Sequence, residues 1–401
     1  MMDKIQRPEY LDFLIRSRDR QIIKVLSGVR RCGKSTLFEI YRDYLLAGGV
    51  DENQIISINF ENIEYEDLSG YKQLYGYVND RLLPERMNYV FLDEIQHVAQ
   101  FEKAVDSLFI KKNVDLYITG SNAWFMSGAL ATLLTGRYVE LKMLPLSFKE
   151  FCDGEKKDIP LSQKYLSYVQ FGSFPYILHY ENNKMQVQEY LAGIYNSILL
   201  KDVVARYKIS DVMMLESVTW FVFDSIGSQL SISKIANTMT SSGRKIDQKT
   251  VEKYVRALME SLLIYQASRY NIKGKQHLKT LKKYYVVDIG LRTMLLGRQG
   301  SDVGHILENV VYLELLRRGL AVYVGQVGDL EVDFVAVSEI ETTYYQVAAT
   351  VRDKSTLDRE LAPLLKINDH YPKRILTLDE DPPADHEGIM IINALDWLLD
   401  K

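Results

Sequence analysis

Apolar and polar positions in the first third of the chain follow strand and helix periods in turn. Residues 22–26 form an apolar run of strand length, and after a glycine-bounded loop apolar residues recur at helical spacing, at Leu37, Ile40, Tyr44 and Leu45. Further apolar runs lie within QIISINFEN, NYVFLDEIQ and VDLYITGSNA. Strands that alternate with helices predict an α/β domain built on a parallel sheet, over residues 1–150.

The pattern changes after residue 150. Helical spacing dominates, as in YLAGIYNSILLKDVVARY, and predicts a helical connector over 151–228. Two short helices separated by a Ser/Gly turn follow, and a strand pair joined by NIKGKQH completes the layout of a winged helix over 229–290. The candidate N-caps are Ser231 or Ser233 for the first of these helices and Asp247 or Thr250 for the second.

The loop after the first predicted strand reads GVRRCGKS, which is the P-loop pattern in its required context of strand, loop and helix. The two glycines let the backbone fold tightly, so that amides and the helix N-terminus face the phosphates of a nucleotide. Lys34 is placed to reach the β- and γ-phosphates, and Ser35 to ligate magnesium. The predicted nucleotide-binding residues are Gly28, Val29, Arg30, Arg31, Cys32, Gly33, Lys34, Ser35 and Thr36, with Cys32 contributing only its backbone.

The run NYVFLDEIQ ends in two adjacent carboxylates, Asp93 and Glu94, which is the partner motif of a P-loop. Asp93 would hold magnesium through a water, and Glu94 would act as the general base on the attacking water. An acidic turn after a core strand is the alternative explanation of this pair. Together the two motifs predict a site that binds a nucleotide with Mg²⁺ and hydrolyses it.

Other polar side chains follow the predicted strands at their carboxyl ends. Thr119, Ser121 and Asn122 end VDLYITGSNA, and Asn59 and Glu61 end QIISINFEN as a weaker signal. Because the carboxyl ends of parallel strands form the ligand face, Ser121 and Asn122 are expected to sense the γ-phosphate.

Arg137 follows a helix-like segment and a glycine. From there a guanidinium could stabilise transition-state charge in its own site or in the site of a neighbouring copy. A surface ion pair is the alternative, so the sequence leaves both the role of this arginine and the oligomeric state open.

The chain resembles the AAA+-type ATPases of bacteria and archaea whose ATPase domain is followed by an uncharacterised C-terminal region. The resemblance covers most of the chain, and the pieces that match are SGVRRCGKST, YVFLDEIQ, ITGSNA, LLTGRYVELKMLPLSFKEF and LLKDVVARYKI. The resemblance implies ATP binding and slow hydrolysis at Lys34, Ser35, Asp93 and Glu94. It implies little about the substrate.

A local basic patch stands out because the formal net charge of the 401 residues is −4. Its members are Lys249, Lys253 and Arg256 on the second predicted helix and Lys273, Lys275, Lys279, Lys282 and Lys283 in the hairpin. Such clustering is typical of contacts with the phosphate backbone of duplex DNA. Winged helices also serve as protein-interaction modules, and lysines keep sheet edges soluble, so a protein partner is the alternative.

The last segment, 291–401, predicts a smaller α/β domain that resembles PD-(D/E)xK nucleases. A helix carries Glu308, a hairpin carries Asp333, and a strand follows, but Gln346 and Ala348 stand where Glu and Lys are expected. The neutral amide and the methyl group should weaken metal binding and transition-state stabilisation by several kcal/mol. We expect a nuclease-like fold without nuclease activity, since compensation by Arg352 or Lys354 has no support.

Composition indicates the cellular compartment in which we expect the protein. Only 2 cysteines occur, which suits a reducing compartment, and no apolar run approaches the length of a membrane helix. We therefore expect a soluble, cytoplasmic ATPase that uses its nucleotide state to control a winged-helix and nuclease-like module. An ATP-gated nuclease and an ATP-binding scaffold for protein partners are the alternatives.

Overall fold

Five parallel strands form the centre of the first part of the molecule, in the order β2-β3-β4-β1-β5. Every residue of β1, β3 and β4 is buried, as expected for strands covered on both faces. The strands are β1 (Ile23–Gly28), β2 (Ile55–Asn59), β3 (Asn88–Asp93), β4 (Val114–Gly120) and β5 (Tyr138–Met143).

Helices cover this sheet and complete its core. Val105 and Leu108 of one helix pack in the same apolar cluster as Val25, Ile58 and Leu92 from three strands. The helices are α1 (Pro8–Arg16), α2 (Lys34–Ala47), α3 (Tyr71–Asn79) and α4 (Phe101–Phe109), with short 3-10 turns at Glu52–Gln54, Ile63–Leu68 and Ile95–His97.

The computed structural model describes residues 4–121, 134, 136–180, 183–274, 276–297 and 302–400, with only the backbone described at 277–280. The chain divides into two compact units. The first comprises Met1–Pro145 with Glu260–Leu262, and the second Leu146–Met259 with Leu263–Lys401. The sequence predicts a P-loop domain over 1–150, and Met1–Pro145 of that range lies in the first unit.

The second unit begins with helices and contains a nine-stranded mixed sheet. Its helices are α5 (Phe148–Gly154), α6 (Leu161–Phe171), α7 (Lys184–Ser197), α8 (Val212–Asp224), α9 (Ile232–Ser241), α10 (Gln248–Glu260), α11 (Ile289–Leu296), α12 (Val303–Arg317), α13 (Lys354–Leu365) and α14 (Ala394–Leu398). A 3-10 turn lies at Pro175–Tyr180, and α7 continues as a π-helix at Ile198–Ala205.

One sheet contains strands from both predicted domains that meet at residue 290, namely 229–290 and 291–401. Its order is β13-β14-β12-β11-β10-β9-β7-β8-β6, and β7 pairs with β9 in parallel from Ser268 to Asn271. The strands are β6 (Gln229–Leu230), β7 (Ile264–Asn271), β8 (Gln276–Val286), β9 (Ala321–Val327), β10 (Leu330–Val337), β11 (Thr342–Ala348), β12 (Lys373–Thr377), β13 (Ala384–His386) and β14 (Ile389–Asn393).

Local structure settles the helix caps that the sequence left open. The side chain of Ser231 accepts a hydrogen bond from the amide of Lys234, and Asp247 accepts one from the amide of Thr250.

The predicted α/β fold with a parallel P-loop sheet, followed by helices and a further sheet, is confirmed. In the described part of the chain, no helix is both long and apolar enough to cross a membrane.

Candidate nucleotide site

The loop between β1 and α2 has the shape that its glycines require. A Cβ atom on Gly28 would lie 2.4 Å from the carbonyl oxygen of Met143, so a side chain does not fit there. Gly33 has a φ of 104°, in the left-handed region that favours glycine, and α2 begins directly after it. The loop therefore ends at a helix N-terminus, which is where an anion is stabilised.

Lys34 lies at the first position of α2 with its ammonium group turned back into the loop. Its Nζ donates to the carbonyl of Gly28 at 3.0 Å and lies 3.4 Å from Glu94 Oε1. Only 4% of the residue is exposed. Burial disfavours the charged form, but Cys32, Glu94 and Asp93 outweigh burial and raise the pKa of Lys34, which favours the charged side chain at neutral pH.

Asp93 ends β3 between two hydroxyl groups. Thr119 Oγ1 donates to Asp93 Oδ1 at 2.5 Å, and the hydroxyl of Ser35 hydrogen-bonds to the same carboxylate. Burial raises the pKa of Asp93, against the effect of these two hydrogen bonds. A serine hydroxyl beside a carboxylate offers the oxygen ligands that Mg²⁺ prefers, so Ser35 and Asp93 fit a magnesium ion.

Glu94 follows Asp93 with a φ of 55°, in the left-handed region where a glutamate is uncommon. Its amide donates to Thr119 Oγ1 at 2.9 Å, and Gln96 Nε2 donates to its Oε2 at 2.5 Å. Burial disfavours ionisation, but Lys34, then Gln96 and other polar neighbours including Ser121, together lower the pKa of Glu94. The carboxylate is thus held ionised and ready to accept a proton.

The structure brings most of the predicted site residues to one edge of the sheet. Asn59 pairs in register with Asp93, and Thr119 with Leu26, so these strand ends lie level with the loop. Val29 and Cys32 are buried, Arg31, Ser35 and Thr36 are exposed, and Arg30 pairs with Glu61 at 2.5 Å. Asn122 lies outside the described residues.

Sequence reasoning did not assign a role to Gln96. Its amide links Glu94 to the buried hydroxyl of Ser121, at 3.3 Å from Ser121 Oγ. Its place two residues after the acidic pair was visible in NYVFLDEIQ, but only the turn that follows β3 shows that the side chain folds back onto Glu94.

Arg137 is not part of the nucleotide site of its own chain. It precedes β5, whose residue Tyr138 pairs with Ile23 at the beginning of β1, whereas the loop follows the end of β1. The guanidinium instead forms an ion pair with Asp106 and lies over the ring of Phe109. The prediction of a catalytic role in the same site is corrected, because the side chain lies at the amino edge of the sheet.

The predicted basic patch is only partly on the surface. Lys249, Lys253, Arg256 and Lys273 are exposed, although Arg256 pairs with Glu252. Lys275 and the side chain of Lys279 lie outside the described residues, and Lys282 donates to Gln266. The prediction that Lys283 belongs to an exposed basic patch is wrong. Lys283 is 4% exposed and forms ion pairs with Glu308, Glu331 and Asp333.

The nuclease-like residues also meet in the second unit. Glu308 on α12 and Asp333 on β10 both face Lys283, and the buried Gln346 on β11 accepts a hydrogen bond from the amide of Asp333. No lysine follows Gln346 on its own strand. The ammonium in this centre comes instead from β8, from a position that the nuclease pattern does not use.

Comparison with known proteins agrees with the geometry of the first unit. A family model described as an AAA domain matches residues 20–152, and one described as a domain of unknown function, DUF8612, matches residues 162–302. An uncharacterized protein of Haemophilus influenzae is 39% identical over 399 residues, covering 98% of each chain. The chain belongs to the same family as this protein. A protein of Methanocaldococcus jannaschii is 31% identical over 340 residues, covering 79% of this chain and 72% of the relative.

A solved structure of a more distant chain has a similar fold. The Walker-type ATPase PABY2304 of Pyrococcus abyssi has a TM-score of 0.51 and 16% identity, over 73% of this chain and 95% of that chain. The first unit is therefore a P-loop domain of the AAA type, which supports nucleotide binding.

Proposed function

We propose that this AAA-domain protein is a magnesium-dependent ATPase whose nucleotide state controls its second unit. The observation that carries the proposal is the assembly of Lys34, Asp93 and Glu94 at the carboxyl edge of one parallel sheet. All three side chains are buried and charged or hydrogen-bonded in the roles that phosphoryl transfer to water needs. The match to an AAA domain supports ATP as the nucleotide.

In the proposed reaction, Lys34 offsets the negative charge of the β- and γ-phosphates. Ser35 and Asp93 would hold magnesium, which would supply charge stabilisation on the phosphate oxygens. Glu94 accepts a proton from water while the water oxygen bonds to the γ-phosphorus and the bond to the β–γ bridging oxygen breaks. ADP and inorganic phosphate leave, and Glu94 returns the proton to solvent.

Exposed basic residues support duplex DNA as the partner of the second unit. Lys249 and Lys253 lie on α10, and the preceding turn adds the exposed Arg244 and Lys245. These positive charges stand against a chain of net charge −4, so they form a local surface for phosphates. A protein partner is the second candidate, because Arg256 is already paired and Lys283 is buried away from the surface.

The test is ATP hydrolysis by the full chain with and without duplex DNA, at low and moderate salt. We expect DNA to raise the turnover at low salt and salt to reduce that effect. Lys249→Glu/Lys253→Glu should lose the stimulation, while Lys354→Glu, which changes an exposed lysine on another helix of the same unit, should keep it. Stimulation that survives the double substitution would reject α10 as the DNA surface, and no stimulation at all would favour a protein partner.

A further inference from the structure

A polar cavity of about 760 Å³ lies in the second unit, beside the carboxylates that the nuclease pattern predicts. Its wall includes Lys283 from β8, Glu308 from α12, and Glu331 and Asp333 from β10. The strands β8 and β10 are not neighbours in the sheet, since β9 and β7 lie between them. These side chains therefore connect parts of the unit that backbone hydrogen bonds do not join directly.

The ammonium group of Lys283 stands among three carboxylates. Its Nζ lies 2.8 Å from Glu308 Oε1, 2.7 Å from Glu331 Oε1 and 3.5 Å from Asp333 Oδ1. The side chain of Lys283 is 5% exposed, so water contributes little to its solvation. Burial disfavours the charge, but the three carboxylates outweigh burial and keep the pKa of Lys283 above its usual range.

Other hydrogen bonds fix the carboxylates around this cation. Tyr285 donates to Glu308 Oε1 at 2.7 Å, Gln229 donates to Glu331, and the amide of Val347 donates to Asp333 Oδ2 at 2.9 Å. A divalent cation between carboxylates needs oxygen ligands at about 2.0–2.6 Å, with open positions for water or substrate. Here the central position between the carboxylates already holds a nitrogen. Within the described ranges, no group of three or more His, Cys, Asp or Glu side chains could hold a metal ion.

Gln346 fits the same arrangement. Its Oε1 accepts from the amide of Asp333 at 2.8 Å, and its Nε2 donates to Glu360 Oε2 at 2.8 Å. A glutamate at this position could not donate to Glu360 and would place two carboxylates in contact. The amide that departs from the nuclease pattern is thus used by the network around Asp333.

We propose that the ammonium of Lys283 takes the place of a divalent cation in this centre, which is an internal ion cluster joining β8 to α12 and β10 and not a nuclease active site. The cluster needs no metal, because its cation belongs to the chain. This explains why Gln346 and Ala348 coexist with an intact Glu308 and Asp333. The cluster explains why the sequence resembles that of a nuclease although the proposed catalytic site of the chain is the separate nucleotide site.

The first test is a Mn²⁺ titration of the nucleotide-free full chain, in which electron paramagnetic resonance measures the Mn²⁺ that remains unbound. Asp93→Asn serves as the background, because it removes the carboxylate of the nucleotide site. We expect no Mn²⁺ bound through Glu308 and Asp333. One bound Mn²⁺ that Asp333→Asn removes would overturn the proposal.

The second test removes the internal cation. Lys283→Met leaves three carboxylates without their counter-charge, so we expect the midpoint of thermal unfolding to fall by about 6 °C or more. Lys282→Met is the matched control, since Lys282 bonds to Gln266 on the neighbouring strand and should change the midpoint little. A Lys283→Met chain as stable as the control would contradict the proposal, whatever its metal binding.

The third test restores the nuclease pattern without touching Lys283. Gln346→Glu/Ala348→Lys supplies the expected carboxylate and ammonium on β11, and supercoiled plasmid with Mg²⁺ reports strand cleavage. We expect no nicking by either the native chain or this variant, and a lower thermal midpoint for the variant because Glu360 Oε2 loses the hydrogen bond from Gln346. Magnesium-dependent nicking by the native chain that Asp333→Asn abolishes would overturn the proposal independently of the stability measurements.

Discussion

Lys34 and Glu94 stabilise each other's charge in a site that largely excludes water. Their charged atoms are 3.4 Å apart, and Lys34 helps to lower the pKa of Glu94 against the effect of burial. A phosphate group that binds Lys34 would weaken this attraction. We therefore expect the pKa of Glu94 to rise when ATP binds, which makes the carboxylate a better proton acceptor at the moment when it is needed.

Gln96 is a positioning residue whose removal should alter the pH dependence of hydrolysis. Its hydrogen bond to Glu94 favours the ionised carboxylate, so Gln96→Ala should raise the pKa of Glu94 and move the acid limb of the kcat profile to higher pH. Turnover at neutral pH should fall several-fold, because the carboxylate also loses its fixed orientation.

The measurement is kcat against pH for the two chains at saturating ATP. Gln100→Ala is a suitable control, since Gln100 bonds to Lys103 on the exposed side of α4. An acid limb that stays at the same pH in Gln96→Ala would show that the amide does not act on Glu94.

At the scale of elements, the nucleotide site could be predicted because its signal is local. The loop GVRRCGKS extends from the end of β1 to the start of α2, and the pair Asp93-Glu94 lies at the end of β3. Parallel pairing of β1, β3 and β4 brings these strand ends together. Arg137 could not be placed in this way, because its edge of the sheet depends on where β5 begins. Lys283 could not either, since its partner Glu308 is 25 positions away and on a different element.

The register of β5 leads to a prediction for Arg137. Because this arginine lies at the amino edge of the sheet and pairs with Asp106, Arg137→Ala should leave ATP turnover of dilute protein within about twofold of the native value. Phosphate release measured over a range of protein concentrations checks this. A large loss in dilute protein would contradict the placement, whereas a loss that grows with concentration would indicate a role in a neighbouring copy.

At the scale of the whole molecule, the two units use buried charge differently. The first holds Lys34 and Glu94 at the proposed nucleotide site, while the second encloses Lys283 with its carboxylates as part of its packing. Composition and net charge could not distinguish these uses, because they count charged residues over the whole chain and do not say which of them are buried together. Only the burial of Lys283 and its three partners separates the internal cluster from the exposed basic surface.

The free energy of unfolding should depend on pH through the protonation of Asp333. Burial and the nearby Glu308 raise the pKa of Asp333 to about 7, against the opposing effect of Lys283. The folded-state pKa of Asp333 is above the unfolded value of about 3.9. The contribution of Asp333 to the free energy of unfolding is therefore fully present below about pH 4, and it is lost as the pH rises to about 7. Asp333→Asn should therefore become progressively more stable relative to the native chain over this interval.

Thermal midpoints of both chains from acid to neutral pH provide the measurement. Asp329→Asn is the matched control, since Asp329 is exposed in the turn before β10. A difference between Asp333→Asn and the native chain that does not change with pH would contradict a raised pKa of Asp333.

ATP turnover by purified full chain with Mg²⁺, for the native protein and Glu94→Gln, tests the central claim most directly. ATP affinity is measured in parallel by calorimetry. The account predicts phosphate release by the native chain, a loss of about 100-fold or more in Glu94→Gln, and ATP binding by both. A native chain that binds ATP without releasing phosphate, or equal rates in the two proteins, would contradict it.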